Sequence, residues 1–166
     1  MGGIPRMLAI MVSIIITVIG LAFLASYVTG AFSGAKASQS TSELSTIISN
    51  VQGLYASQPT FSGLTESVAV QGGVFPSSMV SGANTYDPWN GGVTVQEAAN
   101  RTTEFTVEFD SVPIHACDKL VISYNSSNLV GLTINGTSVT LPPTISEATQ
   151  SGGCVATGNA LIWTLN

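Results

Sequence analysis

Apolar residues fill the start of the chain almost without interruption. No charged residue lies between Arg6 and Lys36, and the stretch 7–28 (MLAIMVSIIITVIGLAFLASYV) is almost wholly apolar. At a rise of about 1.5 Å per residue, a helix over this stretch is about 33 Å long, enough to cross the hydrocarbon core of a bilayer. Because Arg6 precedes the stretch and acidic residues follow it, we expect a cytoplasmic N-terminus and an exported remainder.

The helical pattern continues beyond this stretch but becomes one-sided. Over 35–55, apolar side chains recur at the i, i+3, i+4 and i+7 spacing of an amphipathic helix. A cleaved signal peptide, the alternative for the N-terminus, has a shorter apolar region of about 7–15 residues. We therefore predict one N-terminal helix over 1–55, whose second half packs on a head domain. The positions expected on its packing face are Leu44, Ile47, Ile48, Val51 and Leu54.

The first half of this helix, a stem at 7–28, is apolar on every side and therefore needs apolar surroundings. Lipid can supply them, and so can the matching stems of identical copies; the sequence does not separate these two environments. The stem positions expected to make such contacts are Leu8, Met11, Ile15, Val18, Ile19, Leu21, Phe23 and Leu24.

The head domain is predicted over 56–166, and its first part, 56–95, is rich in turn-forming glycines and prolines. Two short apolar pieces, 68–70 and 93–95, could form brief strands. Two aromatic residues that could contact a ligand or receptor, Tyr86 and Trp89, lie in a turn-rich segment. A tryptophan in such a loop more often pins the loop to the core than stacks on a ligand. Both residues are nevertheless candidates for a surface loop that contacts a receptor.

The segment 103–109 predicts a strand with one wet face, because apolar and polar residues alternate along it. Its apolar positions are Phe105, Val107 and Phe109. Glu104 and Glu108 fall on the opposite face, where paired carboxylates are usually solvated rather than used in acid–base catalysis. We therefore interpret this segment as structural.

Two further segments predict strands in the C-terminal part of the head. Residues 129–141 are interrupted by Asn135-Gly136, which is the strongest short signal for a hairpin turn when apolar residues alternate around it. Residues 160–165 (ALIWTL) resemble a closing strand in which Trp163 is held in the core. The predicted head therefore contains a small antiparallel sheet.

Residues 112–122 fit a short helix with Pro113 in its first turn, although β-branched residues near the end leave a strand open. The expected inner face consists of Ile114, Cys117, Leu120 and Val121. His115 and Asp118 could belong to a Ser-His-Asp arrangement, but no nucleophile elbow accompanies them. A surface helix with a mixed polar face is the favoured interpretation, and we predict no enzymatic activity.

The chain has 2 cysteines and 1 histidine, which are too few and too poorly spaced for a metal site. In a chain exported past a membrane, a disulfide between Cys117 and Cys154 is the economical interpretation. It would close a loop of about 38 residues and stabilise the fold by about 4 kcal/mol in the chain-entropy model. Two buried free thiols are the alternative. We predict no metal and no cofactor.

Charge excludes nucleic acid as a direct partner. The formal net charge is −5, and the basic side chains are scattered rather than clustered as phosphate binding requires. Only 8% of the residues are charged and the mean hydropathy is +0.42, so the surface suits packing against neighbours better than isolation in solvent.

These features predict an α+β fold in which a long N-terminal helix packs on a small, disulfide-closed antiparallel sheet. In order and spacing, the chain resembles a type IV pilin, and more closely the type IVb pilins of the PilS kind. The segments that carry the resemblance are the stem 7–28, the continuation 44–55, residues 75–80 and 89–95, the stretch 105–117, and Cys154 with Ile162-Trp163.

The resemblance implies a membrane-held precursor that a dedicated peptidase trims and N-methylates. An assembly platform in the inner membrane would then lift subunits into a helical homopolymer on the cell surface, for adhesion to a host cell or conjugation with a recipient cell. A minor pilin, a tip adhesin and a secretion pseudopilin are the alternatives within this class.

The sequence departs from the pilin pattern at one position. Pilins usually have a glutamate as the fifth residue of the mature chain. If Met1 is the mature start, the fifth residue is Pro5, and if cleavage follows Gly3, it is Leu8. Neither is acidic, so the usual contact between this glutamate and a neighbouring N-terminal amine is not predicted.

Overall fold

The computed structural model describes residues 34–150, 152–156 and 158–166. The predicted stem at 7–28, and the part of the predicted N-terminal helix that precedes residue 34, lie outside the described residues. Within the described ranges, no helix is both long enough and apolar enough to cross a membrane.

Helix α1 covers residues 34–54 and presents an apolar stripe to the core of the head. Leu44, Ile47 and Val51 are fully buried, and Ile48 is 4% exposed. These side chains belong to the same hydrophobic cluster as the inner face of the sheet. The period of the apolar residues therefore identified the buried side of this helix correctly at these positions.

The prediction that Leu54 faces the core is wrong, because its side chain is 40% exposed. The helix ends at this point, so the next residue takes the inward position. Tyr55 is 8% exposed, and its ring lies 5.5 Å from that of Phe61. Leu54 instead lies against Gly72 at the edge of the head.

The region predicted to be loop contains short regular elements before the sheet begins. Residues 68–70, predicted as a brief strand, lie in helix α2 instead. Thr65 caps this helix by accepting the Val68 N–H, and Glu66 occupies the first turn, where an acidic side chain is favourable. The elements are α2 (Glu66–Gln71), a 3₁₀ turn (Ser77–Met79), β1 (Val80–Ser81) and β2 (Asn84–Thr85).

The remainder of the head is built around a five-stranded antiparallel sheet with strand order β3-β4-β7-β5-β6. The strands are β3 (Val93–Ala98), β4 (Arg101–Val112), β5 (Leu129–Ile134), β6 (Thr137–Ser138) and β7 (Asn159–Leu165). The last strand along the chain is thus the central one in space. It joins the hairpin β3–β4 to the hairpin β5–β6.

The alternation predicted for 103–109 is confirmed, and strand β4 extends beyond it at both ends. Phe105, Val107 and Phe109 are fully buried. On β7, Trp163 is also fully buried and pairs in register with Val107 on one side and Leu132 on the other. Its ring meets the Phe109 ring edge to face, with centroids 5.5 Å apart. The middle of the sheet is therefore an aromatic core.

The turn predicted at Asn135-Gly136 is confirmed as the connection between β5 and β6. Both residues have positive φ, 51° and 80°, as a tight hairpin of the primed type requires. Strand β6 is shorter than the predicted segment because it pairs with β5 only through Thr137 and Ser138.

Two helices pack beside the sheet. The predicted helix is present as α3 (Ile114–Ser123), but Pro113 is its N-cap rather than part of its first turn. Cys117, Leu120 and Val121 are fully buried, whereas Ile114 is only partly buried. Helix α4 (Ile145–Thr149) was not predicted. Its N-terminus is a capping box, in which the Thr144 and Glu147 side chains each bond the other residue's backbone.

The predicted disulfide is present: Cys117 on α3 is bonded to Cys154 in the segment before β7, with the two Cα atoms 5.9 Å apart. Asn159 fastens the same segment from the other side. Its buried amide donates to the Val112 carbonyl at 2.8 Å and to the Val155 carbonyl at 3.0 Å, and its oxygen accepts the Val155 N–H at 2.7 Å. A covalent bond and a polar network therefore hold this irregular segment.

Candidate functional site

The sequence-predicted site residues fall in different parts of the head or outside the described chain. The stem positions Leu8, Met11, Ile15, Val18, Ile19, Leu21, Phe23 and Leu24 all lie outside it. Tyr86 is 38% exposed, whereas Trp89 is half-buried and packs against the core. The two members of the proposed receptor loop thus differ: Trp89 holds the loop in place, and Tyr86 is presented outward.

The exposed face of α1 consists largely of small hydroxyl side chains. Three of these hydroxyl groups donate to carbonyl oxygens of the helix itself. Ser42 Oγ donates to the Ser38 carbonyl at 3.2 Å, Ser45 Oγ to the Thr41 carbonyl at 3.0 Å, and Thr46 Oγ1 to the Ser42 carbonyl at 2.9 Å. Such i to i−4 bonds satisfy the hydroxyl donors locally.

This arrangement makes the outer face of α1 suitable for contact with another helix. A polar group that already has a partner can leave water without the penalty of an unsatisfied hydrogen bond. Small side chains also allow the backbones of two helices to approach closely. Over 37–54 this exposed face carries no charged side chain, since Glu43 points into the head and is only 7% exposed.

The loop at 84–92, which begins with strand β2, is organised by the side chain of Asp87. Asp87 Oδ1 accepts the backbone N–H groups of Trp89 and Gly91 at 2.7 and 2.8 Å. The Asp87 N–H in turn donates to the Gly91 carbonyl at 2.9 Å. Asn90 has a φ of 66°, as a tight turn of this kind tolerates. These hydrogen bonds therefore fix the backbone conformation of the loop.

An open depression lies beside this loop. It has a volume of about 460 Å³ and is bordered by residues 78–81 on one side and by Tyr86, Asp87 and Asn90 on the other. The exposed Tyr86 ring and the Asn90 amide can contact a partner here by stacking and hydrogen bonding.

The loop is fastened to α1 through polar contacts. Glu43 on α1 is buried, and its Oε1 accepts the Gln39 Nε2 group at 2.8 Å and the Ser78 hydroxyl at 3.3 Å. One turn before Ser40, Lys36 Nζ donates to the Pro88 carbonyl at 2.8 Å. The same side of α1 therefore meets both the loop and the segment that precedes it.

Asp87 is 4% exposed, and burial raises its pKa from the usual value near 3.8 to about 6. The two backbone N–H groups that bond its carboxylate act in the opposite direction. The negative charges of Glu43 and Asp110 add to the increase. The carboxyl groups of Glu43 and Asp87 are thus both buried and repel each other, and neither has an opposing charge at ion-pair distance among the described residues.

We expect Asp87 to contribute more to the stability of the fold at about pH 4.5 than at about pH 7. The folded state binds a proton at Asp87 more tightly than the unfolded state does, so the stabilisation is lost as pH rises through about 6. The free energy of unfolding should fall by about 2 kcal/mol over this range because of Asp87. Chemical denaturation at several pH values would measure it.

The matched variants are Asp87→Asn and, on the outer face of the sheet, Glu108→Gln. Asp87→Asn keeps the oxygen that accepts the loop N–H groups and should lose this part of the pH dependence. Glu108→Gln should retain it. An Asp87→Asn chain with the same slope as the unmodified chain would contradict this assignment.

The sequence did not predict that Glu43 and Asp87 lie in the same buried region, although part of the signal was there. Ser40 and Glu43 fall on the same stripe as Leu44 and Ile47, so the helical period placed both polar residues toward the core. What the period does not reveal is the partner, because Asp87 lies far away in sequence.

The other polar candidates do not converge. Glu104 pairs with Arg101, with Nη1 and Oε1 3.0 Å apart, and His115 lies on the exposed side of α3. Among the described residues, no group of three or more His, Cys, Asp or Glu side chains is placed to hold a metal ion.

The sequence model of a family described as Bundlin matches residues 30–166, which is most of the chain and includes every described element of the head. None of the curated proteins matches the chain significantly.

Proposed function

Because the chain belongs to the Bundlin family and is therefore a type IV pilin, we propose that it forms the shaft of an extracellular pilus by polymerising through its N-terminal helix. The stem at 7–28 would be the contact between subunits, and the head over 56–166 would form the outer surface. In the precursor, the same stem would hold the chain in the inner membrane.

The observation that carries this proposal is the outer face of α1. It is free of charge over 37–54, three of its hydroxyl groups are bonded to its own backbone, and most of its side chains are small. A helix that remained in solvent would gain little from these properties. A helix packed against copies of itself needs all of them, because its polar groups must remain satisfied after water is excluded.

Assembly would follow from the same physical chemistry. The stem is apolar on every side, so its transfer from lipid to a bundle of like stems never brings it into water. We infer that a prepilin peptidase first exposes the mature N-terminus and that an assembly platform then lifts the subunit. A pilus surface of this kind could serve adhesion or conjugation, with Tyr86 presented to a host-cell or recipient-cell receptor.

Electron microscopy of cells that express the chain with its assembly machinery tests the proposal. We expect sheared filaments in which this chain is the dominant protein. Chains that remain monomeric in the inner membrane would contradict assembly altogether. Filaments in which the chain is rare would favour a minor pilin or tip adhesin instead of the shaft subunit.

We expect Ser45→Arg to abolish filaments while leaving the head folded. Residue 45 is exposed, so the arginine can be accommodated in the isolated subunit, and the free energy of unfolding should change by less than about 0.5 kcal/mol. In a filament, the new charge would have to be buried between helices at a cost of several kcal/mol. Filament yield in the sheared fraction, together with thermal denaturation of the subunit, would measure the two effects.

Ser45→Ala is the matched control, because it removes the hydroxyl but keeps the face small and uncharged. This variant should assemble normally. Normal filaments from Ser45→Arg would show that the outer face of α1 is not packed between subunits.

A further inference from the structure

Three buried oxygen atoms, two on α1 and one in the 84–92 loop, lack any hydrogen-bond partner among the described residues. They are Ser40 Oγ, Glu43 Oε2 and Asp87 Oδ2. The three residues are 0%, 7% and 4% exposed, so water does not solvate these atoms from the surface. A buried polar group without a partner is costly, and a buried carboxylate oxygen is more costly than a hydroxyl.

Both carboxylates are held in the same manner. In each, one oxygen is fixed by two donors and the other is left free. The fixed oxygens are Glu43 Oε1, bonded by Gln39 and Ser78, and Asp87 Oδ1, bonded by the Trp89 and Gly91 N–H groups. Metal-ligating carboxylates in proteins are oriented by hydrogen bonds of this kind. The free oxygens are therefore pre-positioned rather than merely unsatisfied.

No side chain among the described residues neutralises the two carboxylates. Neither carboxylate forms an ion pair among the described residues. The ion pair found there joins Arg101 to Glu104 on the sheet. Lys36 is on the same side of α1, but it is exposed and its ammonium group binds the Pro88 carbonyl oxygen. The contact thus combines negative charge, free oxygen ligands and no cationic partner.

We propose that Ser40, Glu43 and Asp87 bind a hard divalent cation, for which Ca²⁺ is the best chemical fit, and that this cation fastens the 84–92 loop to helix α1. Carboxylate and hydroxyl oxygens are ligands that hard cations prefer. Ca²⁺ accepts six to eight oxygens in flexible geometry, and Asp87 borders the open depression, so water molecules that enter with the cation would complete a shell that the protein fills only in part.

A cation at this position explains the polarity of Ser40. In the middle of an apolar stripe, an alanine would pack without leaving a buried hydroxyl. The serine is therefore favourable only if its oxygen binds something. Its free lone pairs lie three residues, or about one helical turn, before Glu43, on the same side of α1. The cation would also allow both carboxyl groups to remain ionised in the same buried contact.

The cation site has a consequence other than filament assembly. The orientation of the exposed Tyr86 ring would depend on the concentration of Ca²⁺ outside the cell. Tyr86 directly precedes Asp87, so a cation held by Asp87 would fix the backbone that displays the exposed ring. Extracellular calcium sites commonly have dissociation constants of about 10⁻⁴ to 10⁻³ M. A site in that range would be filled outside the cell and empty in the presence of a chelator.

Luminescence of Tb³⁺, a probe for Ca²⁺ sites, tests the proposal on the full-length chain in detergent micelles. The Trp89 N–H bonds Asp87 directly, so the Trp89 indole is close enough to sensitise an ion held there. We expect a saturable signal that Ca²⁺ displaces. Glu43→Gln and Asp87→Asn should each raise the dissociation constant at least tenfold, whereas Glu108→Gln on the outer sheet should leave it unchanged.

Two further variants show which tryptophan sensitises the ion and whether weaker binding is due to a loss of fold. Trp89→Phe should lose most of the luminescence but retain Ca²⁺ binding by calorimetry. Ser40→Ala removes a single hydroxyl and should weaken binding several-fold while circular dichroism shows an intact fold.

The outcomes are distinct. The absence of a saturable Tb³⁺ signal, or an unchanged dissociation constant in Asp87→Asn, would overturn the proposal. Stability that depends on pH but not on Ca²⁺ would overturn it too, and would indicate that Glu43 and Asp87 share a proton instead. None of these measurements requires filaments, so failure of the cation site and failure of the assembly proposal are distinguishable.

Discussion

Replacement of Trp163 by alanine is expected to lower the free energy of unfolding by about 3–5 kcal/mol, a large part of the stability of a domain of this size. The side chain is fully buried on the central strand, between Val107 and Leu132, and its ring meets Phe109 edge to face. Its removal leaves a cavity that the paired strands on either side cannot close. Chemical denaturation monitored by circular dichroism would measure the loss.

Trp163→Phe is the informative companion variant. The indole Nε1 group is buried without a hydrogen-bond partner among the described residues, so phenylalanine deletes an unsatisfied donor as well as some volume. We expect a cost of less than about 1.5 kcal/mol, because most of the packing remains. Ile162→Ala, on the half-exposed neighbouring position, should also be mild. Equal losses in Trp163→Ala and Ile162→Ala would contradict the central role of the tryptophan.

Removal of the disulfide is expected to have the second large effect. The double variant Cys117→Ala with Cys154→Ala should lose about 4 kcal/mol, since the bond joins residues 37 positions apart and closes a long loop of the unfolded chain. The native segment should remain in place at low temperature, because Asn159 and the bond from the Cys154 N–H to the Ala148 carbonyl still hold it. Melting temperature and filament yield should both fall.

Reductant provides the control for this variant. The melting temperature of the unmodified chain should drop in dithiothreitol toward that of the double variant, whereas the double variant should not respond. If the unmodified chain melts at the same temperature with and without reductant, and the double variant matches it, the bond contributes nothing to the folded state.

The elements that the sequence predicted are those specified by neighbouring residues. Strand β4 follows from the alternation around Phe105 and Phe109, because a strand with one buried face has a period of two. The β5–β6 turn follows from Asn135-Gly136, whose backbone must adopt positive φ. The buried face of α1 follows from the helical period up to Val51 and fails at Leu54, where the helix ends and the period no longer applies.

Short helices were the main local error. Residues 68–70 contain two valines, which favour a strand, yet they lie in α2. The cap at Thr65 outweighs that propensity, because it satisfies a helix donor that would otherwise be unpaired. Helix α4 could have been identified from Thr144 and Glu147, whose spacing is that of a capping box.

The candidate site could not be predicted because it is made by tertiary structure. Glu43 and Asp87 are separated by a helix end, a second helix and a hairpin, and no local pattern pairs them. Aspartate is common in turns, and the Asp87 side chain does bond the N–H groups of its own turn. Its burial, and the free oxygen that points away from the turn, depend on the packing of α1 against the loop.

The position of β7 in the sheet has a consequence for how the chain matures. Strands β4 and β5 both pair with β7 and not with each other. During synthesis from N-terminus to C-terminus, the two hairpins therefore have no common partner until β7 is made, so most of the sheet's long-range pairing forms late. An isolated hairpin is only marginally stable in water. A chain truncated before Asn159 would therefore have two hairpins with no shared strand, and we expect it not to form the folded head.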